Sequence, residues 1–198
     1  MKIIVAHTGA SGAIYCVKFL KWLTIRRNIK VLFTASEEGF RILEDETKVS
    51  KSDLKKYVAQ IYSNDDLRAD ISSGTADVNA MVIVPASMNT VAKIANGIAD
   101  NLITRAASNI LKLKRKLIIV AREMPLSTIH LENLTKLSKA GADVMLASPP
   151  FYHNPKTIDE MALPVIYYIN ELLGIENNIN FKWHGSAAEK QSATEQNY

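Results

Sequence analysis

Residues 1–16 read MKIIVAHTGASGAIYC, an apolar β-branched run followed by a turn of small residues and the start of a helical pattern. Val and Ile favour strands, and a run that is apolar on both faces is typical of a strand buried within a parallel sheet. Gly9 and Gly12 permit the sharp turn that such a strand needs before a helix. This stretch therefore predicts the first strand, turn and helix of a parallel α/β fold.

Four further apolar runs have the same character. Together with the first, they predict parallel strands over residues 3–6, 29–35, 80–84, 117–121 and 143–147. Apolar residues at helical spacing predict helices over residues 13–26, 37–45, 90–113, 129–140 and 158–173, the third of them broken at Gly97. Strands that alternate with helices predict an α/β, doubly wound fold, a Rossmann-like or flavodoxin-like parallel sheet flanked by helices.

The chain of 198 residues has the right length for a single domain, and an apolar content of 47% suffices for its core. We expect one domain over residues 1–183. The polar tail, residues 184–198, lacks periodicity and is expected to stay disordered unless a partner orders it. Near the end of the domain, Thr157 and Glu160 form a helix-capping pattern, and Gly174 has the position of a left-handed residue after the last helix.

Composition and charge argue against several classes of function. The net charge is +4, but basic residues are interspersed with acidic ones and are not interleaved with aromatic rings, so no nucleic-acid partner is predicted. No apolar run approaches the roughly 18 residues of a membrane span. The start lacks a signal-peptide pattern, and the single cysteine, Cys16, excludes an internal disulfide, which together indicate the cytoplasm. The four histidines lack metal-ligand spacing, so no metal site is predicted.

The turn after the first strand, residues 8–13, is a candidate anion site. Ligands of open parallel sheets bind beyond the carboxyl ends of the strands, and the amides of a helix N-terminus favour a negative charge. Small residues let these amides and the Ser11 hydroxyl approach an anion. The spacing matches neither the dinucleotide nor the Walker pattern. A mononucleotide phosphate and a simple tight turn are therefore equally good interpretations.

Hydroxyl and amide side chains follow the next two predicted strands. Ser36 ends the second strand, and Ser87, Asn89 and Thr90 follow the third. These residues are candidates for binding a phosphate or the edge of a heterocycle. Ser and Thr are also the ordinary N-cap residues of helices, and each one taken singly is better explained as a cap.

Two cations are predicted on one face of the helix that follows. Arg105 and Lys112 lie seven residues apart, close to two helical turns. They form either an anion-binding pair or part of a solvated basic stripe. The apolar neighbours of Arg105 predict that it is partly buried and therefore needs an anionic partner.

Charged and aromatic side chains follow the last two predicted strands. Arg122 and Glu123 come after the fourth strand, either as an ion pair or as a cation beside a general acid or base. The proline-rich loop after the fifth strand directs Phe151 and Tyr152 toward the same edge. Rigid aromatic rings suit stacking or an apolar wall for a substrate, although such loops also serve structure alone.

The ordered set of motifs resembles the UbiX-type flavin prenyltransferases, within the homo-oligomeric flavin-containing decarboxylase-like proteins. The resemblance covers most of the chain. It is carried by TGASGAIY at 8–15, ISSG at 71–74, NLITRAA at 101–107, REMPL at 122–126, FYH at 151–153 and LLGI at 172–175. Any one of these segments is weak evidence, whereas the ordered set is specific.

This resemblance implies that FMN is the cofactor and prenyl acceptor. The implied FMN-binding residues are Gly9, Ala10, Ser11, Ser36, Ser87, Asn89, Thr90 and Arg122. The implied reaction needs no metal and transfers a dimethylallyl group from dimethylallyl phosphate to reduced FMN, first to N5 and then to C6, giving prenylated FMN. The resemblance also implies a homododecamer with flavin sites at subunit contacts.

Roles for further residues are implied in the same way. Ser11 is expected to help proton movement at the flavin, Glu46 to line the site, and Glu123 to act as acid or base at the leaving phosphate. The residues expected to hold that phosphate are Arg105, Lys112 and Tyr152.

One position departs from the family pattern. The family usually carries a phosphate-gripping arginine sixteen residues after the loop tyrosine, where this chain has Tyr168. A neutral tyrosine offers a single donor, whereas arginine offers a permanent charge and a bidentate fork. We therefore expect Tyr168 to face the substrate but to change how the phosphate is bound.

Three functional interpretations stay open. An enzyme that makes prenylated FMN is the leading one. A binding or carrier protein for FMN or prenylated FMN, with impaired or altered use of the prenyl donor, is favoured by Tyr168. A phosphopantothenoylcysteine-type decarboxylase shares the fold and part of the turn PASMN at 85–89. That enzyme needs a histidine in an early helix and a substrate-clamping cysteine. The first helix here has no histidine and Cys16 is misplaced, so it ranks last.

Overall fold

The computed structural model describes residues 1–179, which form a six-stranded sheet covered by helices. The strands are β1 (Lys2–His7), β2 (Lys30–Ala35), β3 (Gln60–Ser63), β4 (Ala80–Ala86), β5 (Lys116–Ala121) and β6 (Asp143–Leu146). All neighbouring strands in this sheet pair in parallel. Parallel pairing agrees with the uninterrupted apolar runs, because such strands are covered on both faces.

Helices connect the strands and cover both faces of the sheet. In the described part of the chain they are α1 (Ala13–Thr24), α2 (Glu37–Thr47), α3 (Lys51–Leu54), α4 (Met88–Ala95), α5 (Leu102–Lys112), α6 (Thr128–Lys139) and α7 (Ile158–Leu173). Apolar side chains of α1, α2 and α7 pack on one face, and those of α4, α5 and α6 pack on the other. The sheet thus separates two cores, and all seven residues of β4 are buried between them.

The strand order is β3-β2-β1-β4-β5-β6, the order of a Rossmann-type doubly wound sheet. The direction in which the chain crosses the sheet reverses between β1 and β4, which are hydrogen-bonded neighbours. At such a switch point a crevice forms beyond the carboxyl ends of the strands, and ligands bind there. The predicted α/β, doubly wound fold is confirmed, and it fixes where a ligand site belongs.

The edges of the sheet differ from the prediction. β3 was not predicted, because it is a four-residue edge strand in which only Tyr62 is buried. The single helical turn α3, which begins with a capping box of Ser50 and Asp53, was not predicted either. β6 is the other edge strand, and its residues are half-buried or exposed. The expectation that every strand is buried on both faces is therefore wrong for β6.

Helix ends agree with the sequence signals. The Thr157 side chain accepts a hydrogen bond from the N–H of Glu160, and Gly174 ends α7 in the left-handed conformation, with φ 67°. The Glu160 carboxylate accepts from the N–H of Lys156 instead of completing a capping box with Thr157. Gly97, with φ 72°, separates α4 from α5 as predicted.

Cys16 lies inside the core on the α1 side of the sheet. Its side chain is fully buried against apolar neighbours. Burial raises the pKa of the Cys16 thiol far above its usual value, because the thiolate is poorly solvated there. The thiol is therefore uncharged and structural.

Two predictions concern the limits of the chain. The domain boundary at residue 183 and the tail 184–198 lie outside the described residues. Within residues 1–179, no helix has both the length and the apolar character needed to cross a lipid bilayer.

Candidate functional site

A cavity of about 410 Å³ lies at the carboxyl ends of β1, β2 and β4. We refer to its lining as the cradle. The cradle comprises Gly9, Ser36, Glu38, Asn64, Ser87, Asn89, Thr90, Lys93, Asn101 and Ile103. Five of these residues, from three separate segments of the sequence, were predicted to bind a ligand, and the fold brings them to one place.

Two helices begin at the cradle. The Ser36 hydroxyl accepts from the N–H of Gly39 at 3.0 Å and caps α2, and the Ser87 hydroxyl accepts from the N–H of Thr90 at 3.4 Å and caps α4. The N–H of Ser87 donates to Oγ1 of Thr8 at 2.8 Å, which ties the start of α4 to the turn after β1. Each serine is thus both a cap and part of the cavity lining. The free amides of two helix N-termini favour an anion at this point.

The N-terminus of α1 binds a carboxylate of the protein itself, that of Glu46. Oε2 of Glu46, on α2, accepts hydrogen bonds from the N–H groups of Gly12 and Ala13, each at 2.8 Å. The interpretation of these two amides as a ligand-phosphate site is therefore wrong, because a side chain from the next helix occupies them. Glu46 itself lies directly beside the glycine turn.

Hydrogen bonding holds Glu46 in its ionised form. Partial burial, the largest influence, raises the pKa of Glu46, but hydrogen bonds from the Ser11 hydroxyl and from the amides of Ala13 and Gly12 outweigh it, so the net pKa is lowered. Ser11 therefore lies against a carboxylate that is negatively charged at neutral pH.

His7 is a buried polar residue at the end of β1, just before the glycine turn. Its Nδ1 lies 3.1 Å from the carbonyl oxygen of Val84. Burial lowers the pKa of His7 and outweighs the opposite effects of that carbonyl and of Glu46. The ring is consequently neutral and its Nδ1–H donates to Val84, which links β1 to β4.

Arg122 reaches across the mouth of the crevice. Its Nε donates to the carbonyl oxygen of Ser11 at 2.9 Å. Glu123, the next residue, is exposed, and its Oε1 accepts from the N–H of Met124 at 3.1 Å. The two side chains thus make separate contacts, which disfavours the ion-pair interpretation. Burial raises the pKa of Tyr15, and the Arg122 cation offsets part of that rise.

Five residues predicted to act on the substrate form a second group, which we call the outer set. It comprises Arg105, Lys112, Glu123, Tyr152 and Tyr168. All five are exposed and lie outside the described lining of the cavity. The predicted partial burial of Arg105 is wrong, because its apolar neighbours on α5 turn inward and leave the guanidinium in solvent.

Two members of the outer set lie far from the carboxyl ends of the strands. α5 and α7 start at that edge of the sheet and run back toward the opposite one. Lys112 is the last residue of α5, and Tyr168 lies ten residues into α7, roughly 15 Å along the helix. Lys112 and Tyr168 therefore lie away from the cavity lining of their own chain, and their role at the prenyl phosphate stays a prediction.

The aromatic members of the outer set pack on their sequence neighbours. The rings of Tyr152 and His153 meet edge to face with centroids 6.0 Å apart, and those of Tyr167 and Tyr168 do so at 5.5 Å. Tyr152 and Tyr168 remain 46% and 48% exposed. Each tyrosine thus presents a large apolar surface outward.

Comparison with known proteins identifies the family. Residues 1–170 match the model of the family described as Flavoprotein. A flavin prenyltransferase, LpdB of Lactiplantibacillus plantarum, is 44% identical over 184 residues, which are 93% of this chain and 98% of the relative. The chain belongs to the Flavoprotein family. Within this family it is similar to the UbiX-type flavin prenyltransferases, as the motifs predicted.

Two solved structures have the same fold over nearly their whole length. One is a crystal structure of AnUbiX (PadA1) in complex with FMN and dimethylallyl pyrophosphate, 33% identical, with a TM-score of 0.89, covering 93% of this chain and 97% of that one. The other is a dodecameric FMN-dependent Ubix-like decarboxylase from Escherichia coli O157:H7, 38% identical, with a TM-score of 0.91, covering 93% of this chain and 100% of that one.

Half of the cradle in this Flavoprotein member was not predicted. The missed residues are Glu38, Asn64, Lys93, Asn101 and Ile103. Asn64 was missed together with β3, which it follows, and its Oδ1 accepts from the N–H of Ile103 at 3.1 Å. Lys93 had a readable signal, because it lies four residues after Asn89 and thus on the same helix face.

Proposed function

We propose that this chain is a flavin prenyltransferase, which binds FMN and transfers a dimethylallyl group from dimethylallyl phosphate to reduced FMN to give prenylated FMN. The observation that carries the proposal is the cradle. Two helix N-termini, three hydroxyls and one ammonium group line a single cavity at the switch point of the sheet. Membership among the UbiX-type proteins supports the same reaction.

The residues of the cradle fit a phosphorylated flavin. A phosphate monoester carries a charge of about −1.5 to −2 and has only acceptor oxygens, so it needs donors and positive charge. The Ser87 and Thr90 hydroxyls, the first amides of α4 and the Lys93 ammonium group supply them, and the Ser36 hydroxyl at the start of α2 lines the same cavity. The residues proposed to hold FMN are Gly9, Ala10, Ser11, Ser36, Ser87, Asn89, Thr90 and Arg122.

The glycine turn supplies the groups that act near the flavin ring. Reduced FMN held by these residues would supply two electron-rich atoms. N5 would displace phosphate as the allylic C–O bond breaks and would lose its proton, and C6 would then add to the allyl double bond, with one proton going to that double bond and one leaving C6. Glu46 is fixed by the Gly12 and Ala13 amides and orients the Ser11 hydroxyl. Ser11 then holds and moves a proton beside the ring. Arg122, fixed on the Ser11 carbonyl, keeps a positive charge over the same turn.

The outer set acts on the prenyl donor. Breaking the allylic C–O bond places negative charge on the departing phosphate, which cations and donors stabilise. We assign the proton transfer at this phosphate to Glu123, whose carboxylate is exposed at the end of β5. Its binding is assigned to Arg105, Lys112, Tyr152 and Tyr168.

We further propose a homododecamer in the cytoplasm. Lys112 and Tyr168 lie away from the cradle of their own chain, so each serves the site of a neighbouring subunit. Met124 is 86% exposed and Phe151 is 71% exposed. Apolar side chains this exposed, beside the proposed substrate residues, mark surfaces that other subunits cover. The dodecameric relative from E. coli supports this assembly.

A single-turnover reaction tests the proposal. The protein is mixed anaerobically with reduced FMN and either dimethylallyl phosphate or dimethylallyl pyrophosphate, and the released flavin is identified by mass spectrometry. We expect prenylated FMN with at least one donor. FMN that binds but stays unmodified with both donors would instead support the carrier protein. Release of carbon dioxide from phosphopantothenoylcysteine by the FMN-loaded protein would support the decarboxylase.

A further inference from the structure

Lys93 is the single cation among the described residues that line the cavity. It lies on α4, one helical turn after Asn89. A helical side chain leans toward the N-terminus of its own helix and covers the preceding turn. Lys93 also lines the same cavity as Ser87 and Thr90, which lie at the start of α4.

The ammonium group of Lys93 is held by an acidic partner that is not part of the cradle. Its Nζ lies 2.7 Å from Oδ2 of Asp100, with the two side chains 29% and 50% exposed. The turn at Gly97 brings Asp100 back to α4. Oδ1 of Asp100 also accepts from Nδ2 of Asn101 at 3.0 Å, which orients the carboxylate. The hydrogen bond from Lys93 lowers the pKa of Asp100, so this carboxylate is ionised at neutral pH.

The charges of the cavity are separated between two helices. Glu38, the single anionic residue among those lining it, belongs to α2, and a Cβ added at Gly9 would lie 3.2 Å from its Cγ. Its carboxylate faces Arg41, whose Nη1 lies 3.5 Å away. Negative charge is thus on the α2 side and positive charge on the α4 side. A phosphate is favoured at the α4 end, where Ser87, Thr90 and Lys93 converge.

We infer that Lys93 is the residue by which this chain selects phosphorylated flavin, FMN, over riboflavin. The inference rests on the proposed function. Asp100 holds the ammonium group of a residue that lines the cavity, and the phosphate competes with Asp100 for this group when FMN binds. Riboflavin has no phosphate and leaves Lys93 on Asp100. The Lys93 ammonium group therefore leaves Asp100 only when the ligand carries a phosphate.

Binding measurements on matched variants test this role. The dissociation constants of FMN and riboflavin are measured by flavin fluorescence for the wild type, Lys93→Met, Asp100→Asn and Lys136→Met. Methionine keeps the length of the stem and removes the charge. Lys136 is a matched control, because its Nζ donates to Oδ1 of Asn96 at the far end of α4, outside the cradle.

The two partners of the ion pair are expected to have opposite effects. Loss of one charge-assisted hydrogen bond weakens FMN binding about tenfold in Lys93→Met and leaves riboflavin binding unchanged. Asp100→Asn removes the competitor and tightens FMN binding severalfold. The salt dependence of FMN binding decreases in Lys93→Met, since one charge contact is lost. Lys136→Met is expected to leave the dissociation constants of both FMN and riboflavin unchanged. Thermal unfolding of each variant confirms that it is folded.

Several outcomes would overturn the inference. If Lys93 only braces α4 against Asp100, both variants weaken the two ligands to the same extent. An unchanged ratio of FMN affinity to riboflavin affinity in Lys93→Met would also overturn the inference. The proposed function would still stand in that case, because the wild type would bind FMN. A wild type that binds neither flavin would instead overturn the proposed function, and this inference together with it.

Discussion

The cradle and the outer set are built differently, although both are proposed to serve one reaction. Cradle residues line one cavity, and several are fixed by helix caps, such as Ser36, Ser87 and Asn101. Outer-set residues are exposed and spread over two loops and two helices. Lys112 and Tyr168 even lie toward the opposite edge of the sheet from the cradle.

This difference teaches where a single chain is sufficient. In the proposed mechanism, one subunit holds the flavin phosphate, because the donors of the cradle are positioned by the backbone of that subunit. The prenyl phosphate is proposed to be bound by side chains from more than one subunit. Changes in the cradle should therefore affect flavin affinity, and changes in the outer set should affect transfer.

The largest effect is expected for Glu123→Gln. Loss of a positioned acid or base should slow prenyl transfer by about 10²-fold or more and leave the dissociation constant of FMN unchanged. The measurement is the single-turnover rate with reduced FMN and dimethylallyl phosphate. Glu132→Gln, an exposed carboxylate on α6, is the control and should be neutral. An unchanged rate in Glu123→Gln would show that this carboxylate is not the acid or base of the reaction. The difference in role between the outer set and the cradle would then lose its main support.

Next in size is Tyr168→Arg. A charged hydrogen bond contributes about 1.5 to 3 kcal/mol, so restoring an arginine should strengthen the apparent binding of dimethylallyl phosphate by about tenfold or more. FMN affinity should not change. Glu171→Arg adds positive charge to the same helix and controls for a general electrostatic effect. Efficient use of this donor by the wild type, with no gain in Tyr168→Arg, would mean that another residue fills the role.

A pair of matched cap mutations tests whether a cradle hydroxyl binds the ligand as well as capping its helix. The Ser87 and Ser127 hydroxyls cap α4 and α6 with similar geometry, accepting from backbone N–H groups at 3.4 and 3.3 Å. Replacing either serine with alanine should lower the free energy of unfolding by about 1 kcal/mol. Only Ser87→Ala should also weaken FMN binding, by about fivefold, since it removes a ligand donor as well. Equal FMN affinity in both variants would indicate that the Ser87 hydroxyl is a cap alone.

Much of the cradle was readable because it lies close to strand ends. Ser36 and Ser87 follow apolar runs that the sequence marks clearly, and the glycine turn follows a third. Contacts between distant segments leave no such local signal. Glu46 reaches Gly12 across 34 residues, and Arg122 reaches Ser11 across 111.

The outer set shows a second limit of sequence patterns. Helical spacing correctly places Arg105 and Lys112 on one exposed face of α5. It does not say which end of the helix lies at the crevice, because that depends on the direction in which α5 crosses the sheet. Burial of Arg105 could not be read from its apolar neighbours, since those neighbours face the core.

The smallest expected effect concerns pH and Glu46. Its pKa is lowered in the folded protein from an ordinary value of 4.5. Its contribution is therefore present above pH 4.5 and is lost as pH falls through the lowered pKa. A carboxylate at a helix N-terminus contributes about 0.5 kcal/mol to stability. In Glu46→Gln, the loss of unfolding free energy between pH 6 and pH 3 should therefore be smaller than in the wild type by about that amount. Denaturant unfolding at pH 3 and pH 6 measures it. If the unfolding free energies of the wild type and Glu46→Gln depend on pH in the same way, Glu46 does not stabilise the N-terminus of α1 by its charge.

The burial of Cys16 gives the molecule a practical property. Thiol reagents attack the thiolate, and this chain has one cysteine, whose buried thiol stays protonated. The native protein should therefore be inert toward maleimides while it is folded. A cysteine introduced at an exposed position that has no role in the proposed site or assembly, such as Lys139→Cys at the end of α6, would then be the one labelled site. A fluorophore or spin label placed there would report on α6 without any background from the rest of the protein.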